Sequence, residues 1–388
     1  MKNLNWIDAK TACAVLGIKP QTLYAYVSRH RIGTMTDPDD ARASLYSGTD
    51  IESLSVQKRR PRARADVARA AIHWGDPVMP TSITEIRNGS VFLRGRAIEM
   101  CAAEMSLEQV TAMLCGVDCV TCPTTSVVVK GDNAFSRAMK VLVQEAETAV
   151  PMQDLNETQI AQQAGRMMSL VTDACLGQIF AGQVHQRIGA AWGLDAKTQN
   201  LLRQALVLLS DHELNPSTFA VRICASTGTS LPSALLSGIA TLSGPRHGGV
   251  ASLTMTALRA AQGGDIKTVL SDFAPHDPYS YGFGHPLYPS GDPRAAHLLG
   301  QIPGNAPVVR AITLLSEHLG LEPNIDSALA AFSIHHGCPW DAATTIFSVG
   351  RLAGWTAHAI EQVRSGAIIR PRAKYEHSTV FGNKDECA

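Results

Sequence analysis

The sequence predicts an all-α body that carries one short β-hairpin and is preceded by a small helix-turn-helix module. Three observations lead there. Aromatic residues make up 5% of the 388 positions, while alanine and leucine are abundant, and both of those favour helix. Apolar residues recur at spacings of three and four along most of the chain beyond residue 100, the period of a helix with a buried face. One Asn-Gly pair between apolar-rich segments is the single strong strand signal.

Bulk properties exclude several classes. Lys plus Arg equals Asp plus Glu at 34 each, so overall charge does not call for nucleic acid, a membrane surface or a polyanion. The balance is uneven along the chain, because residues 1–70 hold 12 Lys/Arg against 7 Asp/Glu, which marks an N-terminal module with its own task. No run of about 18 apolar residues exists, so no membrane span is expected. The opening "MKNLNWIDAKTACAVLG" lacks an apolar signal core, and a cytoplasmic location follows. Nine cysteines without a secretory context read as reduced thiols. Cys115, Cys119 and Cys122 form the one cluster, but no second pair or locally spaced histidine completes a metal site, so no metal is expected.

The elements follow in chain order. A helix from about Asp8 to Leu16 ends at Gly17, a residue suited to a left-handed C-terminal cap. A second begins near Pro20, whose ring fits a first helical turn. Thr49 and Glu52, three apart, open a third. Residues 1–56 thus form the helix-turn-helix module, whose second helix would present Gln21, Thr22, Tyr24 and Arg29 to a DNA groove. Residues 57–65 are a basic linker, with Lys58, Arg59, Arg60, Arg62 and Arg64 around Pro61. It is either a solvated hinge or a grip on phosphates. In "SITEIRNGSVFLRG", Asn88-Gly89 turns a hairpin. Helical patterns then run through "SLEQVTAMLC", "NAFSRAMKVLVQEAETA" and "ETQIAQQAGRMMSLVTDACLGQIFAGQVHQRIGAAW". They continue through "TQNLLRQALVLLSDHEL", "SLPSALLSGIATLSG" and "GVASLTMTALRAA". Several are apolar nearly all round, as helices inside a large body are.

Polar groups interrupt these helices at a few places. "SDHELNPSTFA" holds His212, "SGPRHGG" holds His247, and "YGFGHPLYPSGDPRA" holds His285 and Arg294 on one irregular loop. "EPNIDSALAAFSI" places Asp326 where a helix begins, and Arg351 and Arg370 follow in "GRLAGWTAH" and "IIRPR". Each alone has an ordinary reading: Asp326 as a first-turn acid, His212 as a hydrogen-bonded core histidine, His247 and His285 as turn residues, Arg294 as the partner of Asp292. Together, three histidines, one carboxylate and three arginines suit binding a dicarboxylate and deprotonating a carbon acid.

The ordered set "HELNPSTFA", "GPRHGG", "GFGH…DPRA", "NID", "GRLAGW.AH" and "IIRPRAKY" resembles the citrate synthase family, as does "SITEI…G…FLRGRAIEMCAAEMSLEQVTAML" nearer the N-terminus. The resemblance covers roughly residues 66–376. The first 55 or so residues resemble the winged modules of excisionases and MerR-type regulators. The resemblance implies a large helical domain from 66–219 and 326–388 and a small one, 220–325, that closes over substrate. It implies Asp326 as the base that deprotonates acetyl-CoA, His247 as the hydrogen-bond donor to the thioester oxygen, and His285 as the group polarising the ketone of oxaloacetate. His212, Arg294 and Arg351 would hold the keto acid, with Arg370 supplied across a homodimer interface. No cofactor is implied, because the CoA thioester is a substrate. The family usually has "GHRVYK", "GPLHGG" and "HGGAN", where this chain has "GHPLYP", Arg246 before the histidine, and "HGGVA". The two cations that ordinarily sit near the CoA phosphates are therefore absent. The expected reaction is condensation of acetyl-CoA with oxaloacetate and water to citrate and CoA. The alternatives are 2-methylcitrate formation from propionyl-CoA, or a DNA-binding regulator that keeps the body as a metabolite sensor.

Overall fold

A computed structural model of the chain describes residues 6–28, 32–37, 40, 43–48, 50–51, 79–264, 266–273 and 281–372. The chain divides into two compact units, Met1–Pro80 with Arg372–Ala388 and Thr81–Pro371.

In the first unit, β1 (Trp6–Asp8) leads into α1 (Ala9–Leu16), whose first turn is capped by the Asp8 carboxylate accepting from Thr11 N at 2.8 Å. Gly17 ends α1 in the left-handed region at φ 59°, where a Cβ would be strained. α2 (Pro20–Ser28) follows, then β2 (Thr34–Thr36) and β3 (Ser44–Ser47). Ala12, Leu16, Leu23, Ile32, Tyr46 and Ile51 form its core. The two expected helices and their glycine turn are present. The antiparallel sheet, ordered β1-β3-β2, is an addition to the expected elements; its strands are three or four residues long, too short for alternation to register. Where a third helix is expected from Thr49 and Glu52, Gly48, Asp50 and Ile51 are helical; Thr49, Glu52, the 57–65 linker and Arg29 lie outside the described residues.

The second unit opens with the expected hairpin. β4 (Thr84–Arg87) pairs antiparallel with β5 (Ser90–Leu93), and Asn88 and Gly89 turn between them at φ 52° and 75°. Two positive φ values in a two-residue loop are what the right-handed strand twist demands. A short β6 (Arg96–Ala97) extends the sheet. Helices follow: α3 (Ile98–Glu104), α4 (Leu107–Cys115), α5 (Ala134–Ala146), α6 (Glu157–Leu176) and α7 (Val184–Ala191). Reciprocal Ser106–Gln109 and Asn156–Gln159 capping boxes start α4 and α6. The helical run through α6 and α7 is two helices. Gly177 caps α6 at φ 68°, Gly182 sits at φ 105°, and the residues between are irregular.

The remainder comprises α8 (Ala196–Leu208), α9 (Pro216–Ala225), α10 (Leu231–Leu242), α11 (Val250–Gln262), α12 (Ile266–Phe273), α13 (Pro293–Leu299), α14 (Pro307–Leu319), α15 (Ile325–His335) and α16 (Ala342–Ser365). α16 is buried almost throughout and forms the spine of the unit. Its small residues let neighbours come close: Gly354 N–H donates to Ser210 O at 2.8 Å, just beyond the end of α8. That approach fixes the segment carrying Asp211 and His212 against the spine. Among the described residues no helix is long and apolar enough to cross a membrane. The described cysteines are free thiols. Burial pushes those of Cys115 and Cys122 up to about 12, far from the thiolate form that redox or metal chemistry needs.

Candidate functional site

The loop carrying His285 is zipped to the approach of α15. Gly284 N–H donates to Glu322 O at 2.7 Å, Asn324 N–H to Gly282 O at 2.8 Å, and the Asn324 side chain to Gly284 O at 3.0 Å. Gly282 stands at φ 85°, and a Cβ there would lie 2.6 Å from Ser327 Oγ. This is why the histidine is preceded by glycines. Asn324 also caps α15 by accepting from Asp326 N at 2.9 Å, so Asp326 sits in the first turn.

At the other end of the loop Asp292 caps α13 with Pro293 in its first turn. Its carboxylate accepts from Arg294 Nε at 3.0 Å and Nη2 at 2.8 Å, and from the backbone N–H of Ile325 at 3.1 Å. One buried acid thus ties the starts of α13 and α15 together. Arg294 is thus in a bidentate pair with Asp292, its ordinary reading from the sequence. Burial acts against the Arg294 charge, but Asp292 outweighs it and holds the guanidinium above its ordinary range. Asp292 in turn stays below the usual carboxylate range: burial raises it, and Arg294 lowers it more.

His212 lies between α8 and α9, on a segment held from both sides. Asp211 Oδ2 accepts from Thr84 Oγ1 at 2.5 Å and from His358 Nε2 at 3.2 Å. Arg222 Nη1 stands 3.4 Å from His358 Nδ1, so the His358 proton is on Nε2, facing Asp211. Glu213, at φ 49°, accepts from Ile86 N at 2.9 Å. The β-hairpin therefore braces the His212 segment. His212 Nε2 lies 2.6 Å from Tyr288 Oη, and its ring centroid 5.3 Å from that of His285.

His247 is reached through a tight turn. A Cβ at Gly248 would lie 2.6 Å from Leu242 O, and one at Gly249 2.8 Å from Pro245 Cα, so crowding within the chain explains both glycines. His247 Nε2 is 2.8 Å from Ser217 Oγ, which is also 2.7 Å from Asn215 Oδ1. The His247 ring meets Phe347 edge-on at 6.0 Å, and the Arg351 guanidinium lies 5.2 Å over the same Phe347 ring. Arg351 is 1% exposed, and its Nε and Nη1 are buried without a partner. Leaving two charged donors unpaired is costly, and burial pulls this arginine down to about 10.

Asp326 completes the set. Its Oδ1 is enclosed without a partner. Burial raises its carboxyl to about 7, with Arg294 opposing and Asp292 adding to the rise. His247 and His285 are pushed down to about 4, first by burial and then by Arg351 and Arg294 respectively. His212 falls well below its ordinary value, again first by burial. Near neutral pH the site therefore holds neutral imidazoles, guanidinium charge, and a carboxyl poised at the midpoint of its titration. Such a group can take up and release a proton.

Six of the seven residues expected in the body are linked through these contacts: His212, His247, His285, Arg294, Asp326 and Arg351. Among the described residues no contact links Arg370 to them. It lies exposed beyond α16. In the N-terminal unit Gln21, Thr22 and Tyr24 are exposed on α2. Sequence reasoning assigns no role to Tyr288, Ser217, Asp211 or His358. All four act through partners distant in the chain, which periodicity cannot reveal.

Comparison with known proteins follows the same outline. Similarity reaches 38% over 183 residues with citrate synthase of Haloferax volcanii, covering 44% of this chain and 48% of that protein. It is 34% over 182 residues with 2-methylcitrate synthase of Shewanella oneidensis, with the same shares. The chain thus matches about half the length of these curated relatives. The fold is similar to that of citrate synthase from Thermotoga maritima, at TM-score 0.62 and 22% identity over 78% of this chain and 94% of that one. It is similar also to that of the Thermoplasma acidophilum citrate synthase solved with carboxymethyl coenzyme A and oxaloacetate, at TM-score 0.62 and 21% identity over 78% and 95%. The family model for the C-terminal domain of citrate synthase fits residues 178–372, half of the chain and every body residue singled out above, and the chain belongs to the citrate synthase family.

Proposed function

We propose that the chain condenses an acyl-CoA thioester with oxaloacetate, with acetyl-CoA giving citrate and CoA. The observation that carries this is Asp326, a carboxyl at about 7 with an unpartnered buried oxygen, among neutral histidines and buried arginines. Asp326 takes a proton from the carbon beside the thioester, and His247 donates a hydrogen bond to the enolate oxygen. The Ser217 hydroxyl has one proton and two acceptors in reach. Only when it donates to His247 Nε2 does Nδ1 carry the proton that the enolate needs. His285 accepts the Leu287 N–H on Nδ1 at 3.2 Å, so its own proton is on Nε2, and there it polarises the ketone of oxaloacetate. The enolate carbon bonds to the ketone carbon, the ketone oxygen takes the proton that His285 Nε2 presents and becomes the hydroxyl, and the imidazole regains a proton from solvent; water then adds to the thioester carbonyl, its oxygen staying in the new carboxylate and the sulfur leaving as the CoA thiol. Arg351, with Nε and Nη1 unpartnered, donates to one carboxylate. Arg294, and Arg370 of the partner subunit in a homodimer, supply the remaining charge. Residues 220–325 move as a smaller domain that closes over the keto acid and excludes water.

Relatives of both the citrate synthase and the 2-methylcitrate synthase kind share this similarity, and one methyl group changes discrimination by only about 1–3 kcal/mol. A free-thiol assay with oxaloacetate and a panel of acyl-CoAs tests the reaction and ranks the donors. CoA release that does not depend on oxaloacetate would rule the condensation out.

A second reading concerns the N-terminal unit. The exposed Gln21, Thr22 and Tyr24 on α2 favour docking of that helix in a DNA groove, with the body as enzyme or as metabolite sensor. Gel-shift titration against genomic fragments tests it. Absence of binding at low salt would remove it.

A further inference from the structure

Tyr288 meets three of the groups assigned to the keto acid. Its hydroxyl is 2.6 Å from His212 Nε2, its ring is 4.9 Å from the His285 ring at 36°, and the Arg294 guanidinium lies 5.4 Å from its ring centre. Tyr288 is 3% exposed. Its backbone is fixed by Tyr288 N–H donating to His285 O at 2.9 Å and by Gly291 N–H donating to Tyr288 O at 3.0 Å. Pro286 and Pro289 flank it, and each locks its own φ. The turn is rigid by construction, and it aims the phenol at His212.

A neutral imidazole has one N–H and one bare nitrogen, and the partner of one nitrogen decides which is which. The site holds His212 neutral, because burial and the charges of Arg294 and Arg351 oppose a second proton. Burial likewise holds the Tyr288 proton on its oxygen. A phenol is a strong donor, and His212 Nε2 is its hydrogen-bond partner. We propose that Tyr288 is a positioning residue whose hydroxyl donates to His212 Nε2, fixing that histidine as the Nδ1–H tautomer so that it presents a donor to the keto acid. The same turn then sets two tautomers in opposite senses. Leu287 N–H claims Nδ1 of His285, and the Tyr288 hydroxyl claims Nε2 of His212. The role rests on the reading that His212 contacts oxaloacetate.

The test uses the full chain and two readouts. Nitrogen-15 NMR of histidine-labelled protein, with the His212 signals identified by their loss in His212→Asn, reports the tautomer without substrate. The expected result is Nδ1–H in the wild type and a shift toward Nε2–H in Tyr288→Phe, which keeps the ring and its packing. A wild-type His212 in the Nε2–H form overturns the proposal. Calorimetric titration with oxaloacetate gives the second readout. Tyr288→Phe should weaken binding about tenfold, the equivalent of one hydrogen bond, in the wild-type background. In the His212→Asn background it should change binding by less than about twofold, as expected for coupled neighbours. An equal loss in both backgrounds shows that Tyr288 acts without His212 and overturns the route. If the wild type binds no oxaloacetate, the functional reading fails, and the NMR result alone decides whether Tyr288 sets the tautomer.

Discussion

Asp292 and Arg294, two residues apart, form a closed bidentate pair in which Nε and Nη2 reach the two carboxylate oxygens at 3.0 and 2.8 Å. Through Ile325 N–H the same carboxylate holds the start of α15, so one buried charge touches both Arg294 and the helix that carries Asp326. It also makes the two arginines unequal. Arg294 arrives at the site largely neutralised, whereas Arg351 arrives with unpartnered donors.

Replacing Asp292 with Asn keeps the shape and removes the charge. Asp292 is one of the groups raising Asp326, and Arg294 is the main one lowering it. Without the Asp292 carboxylate, the positive field at Asp326 grows and its carboxyl ionises at lower pH. The acid limb of kcat/KM should therefore move below about 7, and the melting temperature should fall, because breaking a buried pair costs about 3–5 kcal/mol. A limb that stays in place in a folded variant would show that Asp292 does not tune the base.

Asp326 itself links activity and stability in opposite directions. In the folded chain its carboxyl titrates at about 7, above the ordinary aspartate value of 3.8, so folding favours the protonated form. That contribution is full below the unfolded value and is lost as pH rises through about 7. Under the proposed reaction, activity needs the ionised base and rises over the same interval. Asp326→Asn should thus lower turnover by orders of magnitude. It should also melt above the wild type at pH 8.5 while nearly matching it at pH 4, by about 1.4 kcal/mol for every tenfold by which burial strengthens the carboxyl's hold on its proton. A melting difference independent of pH would contradict the buried, raised carboxyl.

Much of this architecture is legible in the sequence, and the exceptions share a cause. The hairpin is readable because Asn88-Gly89 satisfies a local backbone demand. Most helices are readable because each buries one face or more. The break at residues 177–183 is hidden because alanines and apolar residues continue on both sides of it. His212, His247, His285 and Asp326 stand out as polar groups in apolar surroundings. Tyr288 does not, since a tyrosine in a proline-rich turn looks like surface until the fold brings His212 to its hydroxyl. The Asp292–Arg294 pair is visible as a local option, but its reach to Ile325, 33 residues on, is not.

Gly354 gives a separate check on how the spine holds the His212 segment. A Cβ there would lie 2.5 Å from Ser210 O and overlap Asp211 Oδ1, both of which are backed by packed structure. Gly354→Ala should cost about 1–3 kcal/mol or more through overpacking, a fall in melting temperature of at least several degrees. Displacing Asp211 also moves His212, so oxaloacetate affinity should drop along with stability. A variant that loses stability but binds oxaloacetate unchanged would separate the brace from the site.

Arg370 bears on assembly. It lies exposed beyond α16, while Arg351 has unpartnered donors. If Arg370 serves the site of a second copy, Asp326→Asn and Arg370→Ala damage different halves of one shared site. Each variant alone should be nearly inactive. Unfolded and refolded together at equal amounts, they form dimers of which about half are mixed under twofold pairing. In a mixed dimer one site combines the sound Asp326 of one chain with the sound Arg370 of the other, and its twin carries both lesions. About a quarter of all sites should then recover activity. Size-exclusion chromatography with differently tagged chains verifies the mixed species. Mixed dimers without recovered activity would place Arg370 in the site of its own chain or outside the chemistry altogether, and the cross-subunit clamp would have to be abandoned.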